Sequence, residues 1–322
     1  MHRTHLLPAV ILGLLVGPGA LPAQTGSRPD TVTRARLAES YLRVEYASRA
    51  HPPSPERSGP LNQAFDRATL LFFGGKYDEA IRLMDSVAAV LDPAPGAAAG
   101  YSERAAKAMA GWARQRSQLV VGPDSIAFHA VVPHGRTGPL PLVIALHGAG
   151  ADERAFLEAY GAGRLRELAE ERGFILVTVF TNAWMRQPAG AFDAAVDSAA
   201  ARHAVDPSRI YVLGHSLGAG ATWSTARVRG DRIAAIACLA GGCGAPPATG
   251  PAPARMPPTL LYAGELDPLA APSRLETAVA RGREAGYEID YRIRPAAGHT
   301  LMVGPVLDEV VGWLLAKVRS EK

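Results

Sequence analysis

Apolar and polar positions follow two different periods along the chain, and the period changes near Gln118. Before this point apolar residues recur at helical spacing. The clearest apolar face consists of Tyr77, Ile81, Met84, Ala88 and Leu91. After this point short, continuous apolar runs alternate with helical stretches. Because such runs are typical of strands buried on both faces, the second region predicts a mostly parallel sheet covered by helices.

The same pattern predicts where each element lies. N-terminal helices are expected at Thr31–Ala50, 61–73, Tyr77–Leu91 and 97–116, with a Pro/Ser loop at 51–60. Eight strands are expected at residues 118–121, 126–132, 142–146, 175–180, 210–214, 233–239, 259–263 and 289–294. Helices are expected at residues 154–172, 191–203, 217–229, 272–285 and 306–319. We therefore predict a small helical region at 31–116, followed by an α/β domain at 118–322 with an eight-stranded, mostly parallel sheet and helices on both faces.

Composition and charge narrow the function classes. Of the 322 residues 48% are hydrophobic, enough for a sizeable core, and the formal net charge is +4. Basic residues are scattered and not interleaved with aromatic ones, so no nucleic-acid partner is expected.

Residues 1–23 have the features of a secretory signal peptide, with Arg3, an apolar core and a small-residue cleavage site before Gln24. No other segment is long and apolar enough to span a bilayer, so a secreted or periplasmic protein is expected.

Cys238 and Cys243 are the two cysteines of the chain. In an oxidising compartment they can close a small disulfide loop. The alternative is one buried thiol and one nearby free thiol. The sequence leaves both open, because only a tight turn at Gly241 and Gly242 would bring the two Cα atoms within bonding reach.

The strongest candidate for chemistry is the segment IYVLGHSLGAG at residues 210–220. It contains the pattern G-x-S-x-G between a short apolar run and a helix-like run, which is the strand–turn–helix context of a nucleophile elbow. Gly214 and Gly218 lack Cβ atoms, so strand and helix can pass close to Ser216. The N-terminus of the following helix directs backbone N–H groups towards a developing oxyanion. Ser216 is therefore the candidate nucleophile.

From about residue 118 to the end, this order of elements and motifs resembles the α/β-hydrolase superfamily. In that superfamily the acid of the catalytic triad follows the seventh strand and the histidine follows the eighth. The resemblance implies Asp267 as the acid, with Glu265 as the competing carboxylate. It implies His299 as the base, and among the nine histidines only His299 follows the last predicted strand.

The resemblance also implies an oxyanion hole made of two backbone N–H groups. One belongs to Leu217, directly after the nucleophile. The other belongs to the glycine-rich loop after the third strand, where Ala149 is favoured and Gly150 is the alternative. The small residues of this loop, including Gly148, allow the backbone to approach a substrate carbonyl. His147 is interpreted as a supporting residue, not a base, and so is His215.

The substrate site is expected to be open and rimmed by the loops at residues 181–189 and 241–258. Trp184 on the first rim is a candidate substrate contact, and the alternative is an aromatic plug over the sheet. The helical region contains no triad candidate, so it is expected to be dispensable for the chemistry. We expect these helices to pack against the α/β domain; a partner-binding repeat is the alternative.

Together these features predict a secreted serine hydrolase that cleaves carboxylic esters through an acyl-enzyme on Ser216. Residues 136–153 and 205–210 resemble the group of feruloyl esterases, acetyl xylan esterases and polyhydroxybutyrate depolymerases. The resemblance implies a small-molecule or polysaccharide-linked ester as substrate, and no cofactor or metal is expected. Two alternatives remain open: a serine peptidase of the same fold, and a non-enzymatic protein that binds a partner through its N-terminal helices.

Overall fold

The computed structural model of the chain describes residues 29–112, 117–247, 253 and 255–319. The expected signal segment lies outside these ranges, as do residues 113–116 at the end of the fourth predicted helix. Within the described ranges, no helix has the length and apolar character needed to cross a membrane.

A twisted sheet forms the centre of residues 117–319, which we call the α/β region. Its strands are β1 (Ser117–Val121), β2 (Asp124–Val131), β3 (Leu140–Leu146), β4 (Ile175–Val179), β5 (Val205–His215), β6 (Ala235–Leu239), β7 (Thr259–Gly264) and β8 (Ile289–Arg294). They form an eight-stranded sheet in the order β1-β2-β4-β3-β5-β6-β7-β8. β2 pairs antiparallel with β1 and β4, and the pairings from β4 through β3 to β8 are parallel. This confirms the predicted mostly parallel sheet.

Helices cover both faces of the sheet and precede it. Residues 29–112, which we call the helical region, contain α1 (Thr31–Ala50), α2 (Pro55–Phe73), α3 (Tyr77–Leu91) and α4 (Ala97–Trp112). The α/β region contains α5 (Arg164–Arg172), α6 (Thr181–Trp184), α7 (Pro188–Ala200), α8 (Leu217–Arg229), α9 (Pro272–Glu284) and α10 (Val303–Leu315).

The continuous apolar runs of the central strands are explained by a separate hydrophobic core on each face of the sheet. In β3, Leu142 and Ile144 point into one core and Val143 and Ala145 into the other, and all four are buried. A strand between two cores has no solvent-facing side, so alternation of apolar and polar residues disappears.

The helical region packs directly against the α/β region. Its own core, built around residues such as Val44, Phe65 and Ile81, also includes Leu301 from the segment that precedes α10. A second contact joins α1 to α5, where the Arg49 guanidinium pairs with the Glu167 carboxylate and donates to the carbonyl oxygen of Ala162 at 3.1 Å. The helices thus bury their apolar faces within this chain, as expected for helices that are marginal alone.

Several predicted bounds were wrong for identifiable reasons. The predicted loop at 51–60 is partly helix, because α2 begins at Pro55, and proline fits the first turn of a helix. The predicted helix at 154–172 is broken, since Gly161 and Ala162 have φ values of 62° and 53°. Gly161 lies against the backbone of Gly304, where a Cβ atom would clash. β5 begins at Val205 instead of residue 210, and residues 181–184 of the predicted rim loop form α6.

Candidate active site

Ser216 occupies the sharp turn between β5 and α8. Its φ of 54° and ψ of −114° are rare for a residue with a side chain, and this conformation exposes the hydroxyl above the end of the sheet. Glycine is required on both sides of the turn. A Cβ atom on Gly214 would overlap the Gly218 carbonyl, and one on Gly218 would overlap the carbonyl of Leu146 in β3. The local sequence thus has the strand–turn–helix structure that the motif predicted.

Asp267, His299 and Ser216 form a continuous chain of hydrogen bonds. His299 Nε2 lies 2.9 Å from Ser216 Oγ, and His299 Nδ1 lies 2.8 Å from Asp267 Oδ2. Since a carboxylate only accepts, Nδ1 carries the proton and the Nε2 lone pair faces the Ser216 hydroxyl. These groups come from the turn after β5, the loop after β7 and the loop after β8, so the topology brings together residues that are far apart in sequence.

The Asp267 carboxylate is held as a charged acceptor. Burial by itself would raise its pKa, but the hydrogen bond and charge of His299 outweigh this and hold the pKa of Asp267 below its usual range. The backbone N–H groups of Leu269 and Ala270 each donate to Oδ1 at 2.8 Å. Glu265, the competing candidate, is exposed and accepts the backbone N–H of Ala296. The structure therefore places Asp267, and not Glu265, beside the imidazole.

The glycine-rich loop after β3 forms a tight turn next to the elbow. Ala151 N–H donates to the Gly148 carbonyl at 3.3 Å, and Gly150 in the turn has φ of 82°, which favours glycine. Gly148 must be small, since a Cβ atom there would lie 2.8 Å from the His215 ring. Leu217 is the first residue of α8, so its N–H has no partner within the helix. Leu217 and Ala149 are both half-buried.

His147 and His215 are buried and both ring nitrogens of each are engaged. His147 Nδ1 donates to the Gly148 carbonyl at 2.8 Å, and Nε2 accepts the N–H of Thr181 at 3.0 Å. His215 Nε2 donates to the carbonyl of His299 at 3.0 Å. Burial lowers the pKa of both rings, in His215 to about 3 with a contribution from the charge of His299. Both rings are therefore neutral structural groups.

Tyr160 links the glycine-rich loop to the base, and the sequence pattern had not singled it out. Its hydroxyl lies 2.9 Å from His215 Nδ1 and accepts the N–H of Gly148 at 3.2 Å. With His215 Nε2 bound to the His299 carbonyl, one chain of hydrogen bonds joins three loops of the site. Only the tertiary structure places Tyr160 there, because it lies in the irregular segment before α5.

Trp184 does not reach the surface, so the suggested substrate contact is wrong. Its side chain is 0% exposed and belongs to the core on one face of the sheet, and its indole N–H donates to Thr225 at 2.9 Å. The alternative, an aromatic plug, describes it. Met185 beside it remains 37% exposed. The second predicted rim, residues 241–258, lies partly outside the described residues.

Cys238 and Cys243 form a disulfide that closes a loop with a sequence separation of 5. Both residues are buried behind the elbow helix, in the core on that face of the sheet. The structure thus chooses between the two alternatives that the sequence left open.

Two residues of the helical region also reach the site. The Asp66 carboxylate accepts the backbone N–H of His299 at 3.0 and 3.1 Å, and Asn62 Oδ1 accepts that of Gly298 at 2.9 Å. The triad itself lies beyond Gln118, as expected, but the sequence analysis did not foresee these contacts between the helical region and the loop that carries His299. Asn62 and Asp66 are polar residues beside an apolar helix face, and this was the one signal in the sequence that could have pointed to them.

The fold has counterparts among solved structures. A thermostable esterase aligns with a TM-score of 0.52, 19% identity and coverage of 64% of each chain. The chain has the α/β-hydrolase fold. An ester hydrolase from the metagenome of Lake Arreo aligns with a TM-score of 0.51 and 17% identity, covering 62% of this chain and 82% of that one. S-formylglutathione hydrolase from Staphylococcus aureus aligns with a TM-score of 0.50 and 14% identity, and the alignment covers 62% of this chain and 96% of that one.

Sequence comparison gives shorter matches. Cutinase 2 of Thermobifida cellulosilytica is 40% identical over 81 residues, which is 22% of this chain and 31% of the cutinase. A cutinase of Thermobifida fusca is 40% identical over 81 residues, 25% of its length. The chain therefore spans less than a third of the length of these curated relatives. No protein-family model matches it.

Proposed function

We propose that the chain is a secreted serine hydrolase that cleaves carboxylic esters, with Ser216 as nucleophile, His299 as general base and Asp267 as the acid that orients the base. The observation that carries this proposal is the hydrogen-bonded chain from Asp267 through His299 to the strained Ser216, with distances of 2.8 and 2.9 Å. Nucleophile, base and orienting group stand in the geometry that acyl transfer requires.

In the proposed reaction His299 moves one proton in each half. Nε2 takes the Ser216 proton while Oγ attacks the ester carbonyl carbon, and the collapse of the tetrahedral intermediate expels the alcohol, which receives that proton. Water then attacks the acyl carbon while His299 takes a proton from it, and the second tetrahedral intermediate expels Ser216 Oγ, which receives that proton as the carboxylic acid leaves. Asp267 stabilises the imidazolium in both steps, and its lowered pKa supports this role because it remains charged.

The oxyanion of each tetrahedral intermediate is assigned to the backbone N–H groups of Leu217 and Ala149, with that of Gly150 as the alternative second donor. The position of Leu217 at the start of α8 supports its role, because the helix N-terminus adds partial positive charge. Gly148 and Gly150 are the candidate substrate-contact residues of this loop, because glycine allows the backbone to approach a substrate carbonyl.

The relatives named as cutinases support an ester as substrate, although the match covers a limited part of both chains. We assign a small-molecule or polysaccharide-linked ester as substrate class. The signal-like residues 1–23 support export, and the Cys238–Cys243 disulfide fits an oxidising compartment.

The experiment compares the purified wild type with Ser216→Ala on p-nitrophenyl esters, feruloyl esters and aminoacyl anilides, and with a fluorophosphonate probe. Wild type should cleave esters and become labelled, whereas the variant should lose about 10⁶-fold in kcat and take up no label. Ester cleavage should fall at acid pH, since a protonated imidazole accepts no proton. Cleavage of anilides but not esters would point to a peptidase, and equal labelling of the variant would remove Ser216 from the mechanism.

A further inference from the structure

Helix α2 places two buried polar side chains against the backbone of the loop that carries His299. Asp66 and Asn62 are four positions apart on one face of the helix, and they accept the N–H groups of two consecutive residues, His299 and Gly298. The Asn62 amide is fixed in turn, because its Nδ2 donates to the Ser58 carbonyl at 2.9 Å. Both peptide groups before the imidazole are thus held by a helix outside the α/β region.

The surrounding contacts leave this loop little freedom relative to α2. Gly298 packs so closely on the Asp66 carboxylate that a Cβ atom there would overlap it. Leu301 is buried in the core of the helical region. At the end of α2, the Phe72 ring stands where a Cβ atom of Gly150 would lie, at 2.5 Å. The same helix therefore touches the base loop and the glycine-rich loop beside Ser216.

A buried carboxylate is an energetically costly acceptor for the single backbone N–H of His299. Asp66 is 3% exposed and forms no salt bridge within the part of the chain that the structure describes, although the charge of His299 favours its ionised form. The titratable groups that act on it are His299 and Asp267. Burial raises the pKa of Asp66 to about 7, against the opposing effects of the His299 N–H and charge, and the charge of Asp267 raises it further. A neutral acceptor would satisfy the same N–H at lower cost, and a pKa of about 7 means that Asp66 is fully charged only above neutral pH, so an ionisable group at this position calls for a reason.

We propose that Asp66 and Asn62 are positioning residues for the His299 base, so that the N-terminal helical region completes the active site. This inference rests on the proposed function, because it assigns a role to the same base. Asn62 and Asp66 fix the backbone at residues 298 and 299, which keeps Nε2 aligned with Ser216 Oγ. Above neutral pH, where Asp66 is ionised, its charge adds to that of Asp267 in stabilising the imidazolium that forms during attack.

The test compares Asp66→Asn and Asn62→Ala with Glu45→Gln as matched control. Asp66→Asn keeps an acceptor for the His299 N–H and removes the charge. Glu45 is also a buried carboxylate of the helical region that accepts an N–H from the α/β region, that of Gly161 at 3.0 Å. It touches none of the triad residues. Thermal unfolding and circular dichroism check that each variant is folded.

We expect Asp66→Asn to lower kcat by about tenfold with KM nearly unchanged. The acid limb of its pH–rate profile should move to lower pH, because a nearby negative charge favours the protonated imidazole, and the movement should be small because the raised pKa of Asp66 leaves this carboxyl partly protonated there. Asn62→Ala should lower kcat without moving the acid limb, since it removes an acceptor but no charge. Glu45→Gln should leave kcat and the acid limb of the pH–rate profile unchanged.

A second readout needs no substrate. The NMR titration of the His299 ring should move to lower pH in Asp66→Asn and stay in place in Glu45→Gln. Wild-type kcat and an unmoved titration in folded Asp66→Asn would overturn the inference, and so would an equal loss in Glu45→Gln, which would indicate general loosening of the helical region. If wild type cleaves no ester but the titration moves as expected, the proposed function fails while the positioning of His299 by Asp66 stands.

Discussion

Replacing Glu45 by glutamine should stabilise the protein, and the gain should grow as the pH rises from about 4.5 to about 8. Glu45 lies in α1, is 3% exposed, and accepts the Tyr41 hydroxyl at 2.8 Å and the Gly161 N–H at 3.0 Å. Burial raises its pKa from the usual 4.5 to about 8, although both hydrogen bonds oppose the increase. At neutral pH the folded protein therefore keeps this group protonated, whereas the unfolded chain ionises it.

The sign and the size follow from this difference. Between pH 4.5 and 8 the folded state binds the proton that the unfolded state has released, so stability falls as pH rises. One pH unit corresponds to about 1.4 kcal/mol, which gives roughly 5 kcal/mol over the whole interval and roughly 3 kcal/mol at pH 7. A glutamine never ionises, and its carbonyl can accept the Gly161 N–H while its amide donates to the Tyr41 oxygen.

Urea unfolding of wild type and Glu45→Gln at pH 4, 5, 7 and 9, followed by circular dichroism, measures the effect. The difference in unfolding free energy should be constant below pH 4.5, grow in favour of the variant up to pH 8, and then level off. Glu56→Gln is the control for sign. Glu56 is exposed in the first turn of α2, and hydrogen bonds from Ser54 and its own N–H lower its pKa, so this difference should change slightly in the opposite direction. A Glu45→Gln difference that does not vary with pH would refute the assignment of a buried, protonated Glu45.

Two further perturbations test the elbow and the disulfide. Gly214→Ala should prevent accumulation of folded protein that reacts with the probe, because the new Cβ atom would overlap the Gly218 carbonyl and lie 2.5 Å from Thr222 Oγ1. A soluble variant that is labelled like wild type would contradict the close packing. The double variant Cys238→Ala/Cys243→Ala should lower the unfolding free energy by about 2 kcal/mol, as expected for a short closed loop, and Ser216 should remain reactive in folded protein at low temperature. Unchanged stability, or loss of reactivity without unfolding, would argue against a purely structural disulfide.

Features that depend on nearest neighbours along the chain were well predicted. The bounds of the helix Leu217–Arg229 and of the strand Ile289–Arg294 agree with the structure, as do those of two N-terminal helices. The elbow at Ser216 could be predicted because both glycines that its geometry requires lie within two residues of it. The fold class followed from the period of the apolar residues, since a strand between two cores and an amphipathic helix have different patterns.

Features that depend on packing against a distant segment were missed. At the break, Gly161 lies against the backbone of Gly304, and the buried Trp184 packs in the core of one sheet face, where its indole N–H donates to Thr225. Neither partner is close in sequence.

The sequence by itself determined the fold class and the nucleophile turn, since apolar periodicity and local backbone geometry fix these, and its resemblance to the α/β-hydrolase superfamily implied the order of the candidate triad. Only the tertiary structure decided which carboxylate pairs with His299, that the two cysteines bond, and that Asp66 accepts the His299 N–H across a sequence separation of 233. Such contacts leave no periodic trace. A buried hydrogen bond needs one donor and one acceptor at the right distance, and the folded chain alone brings them there.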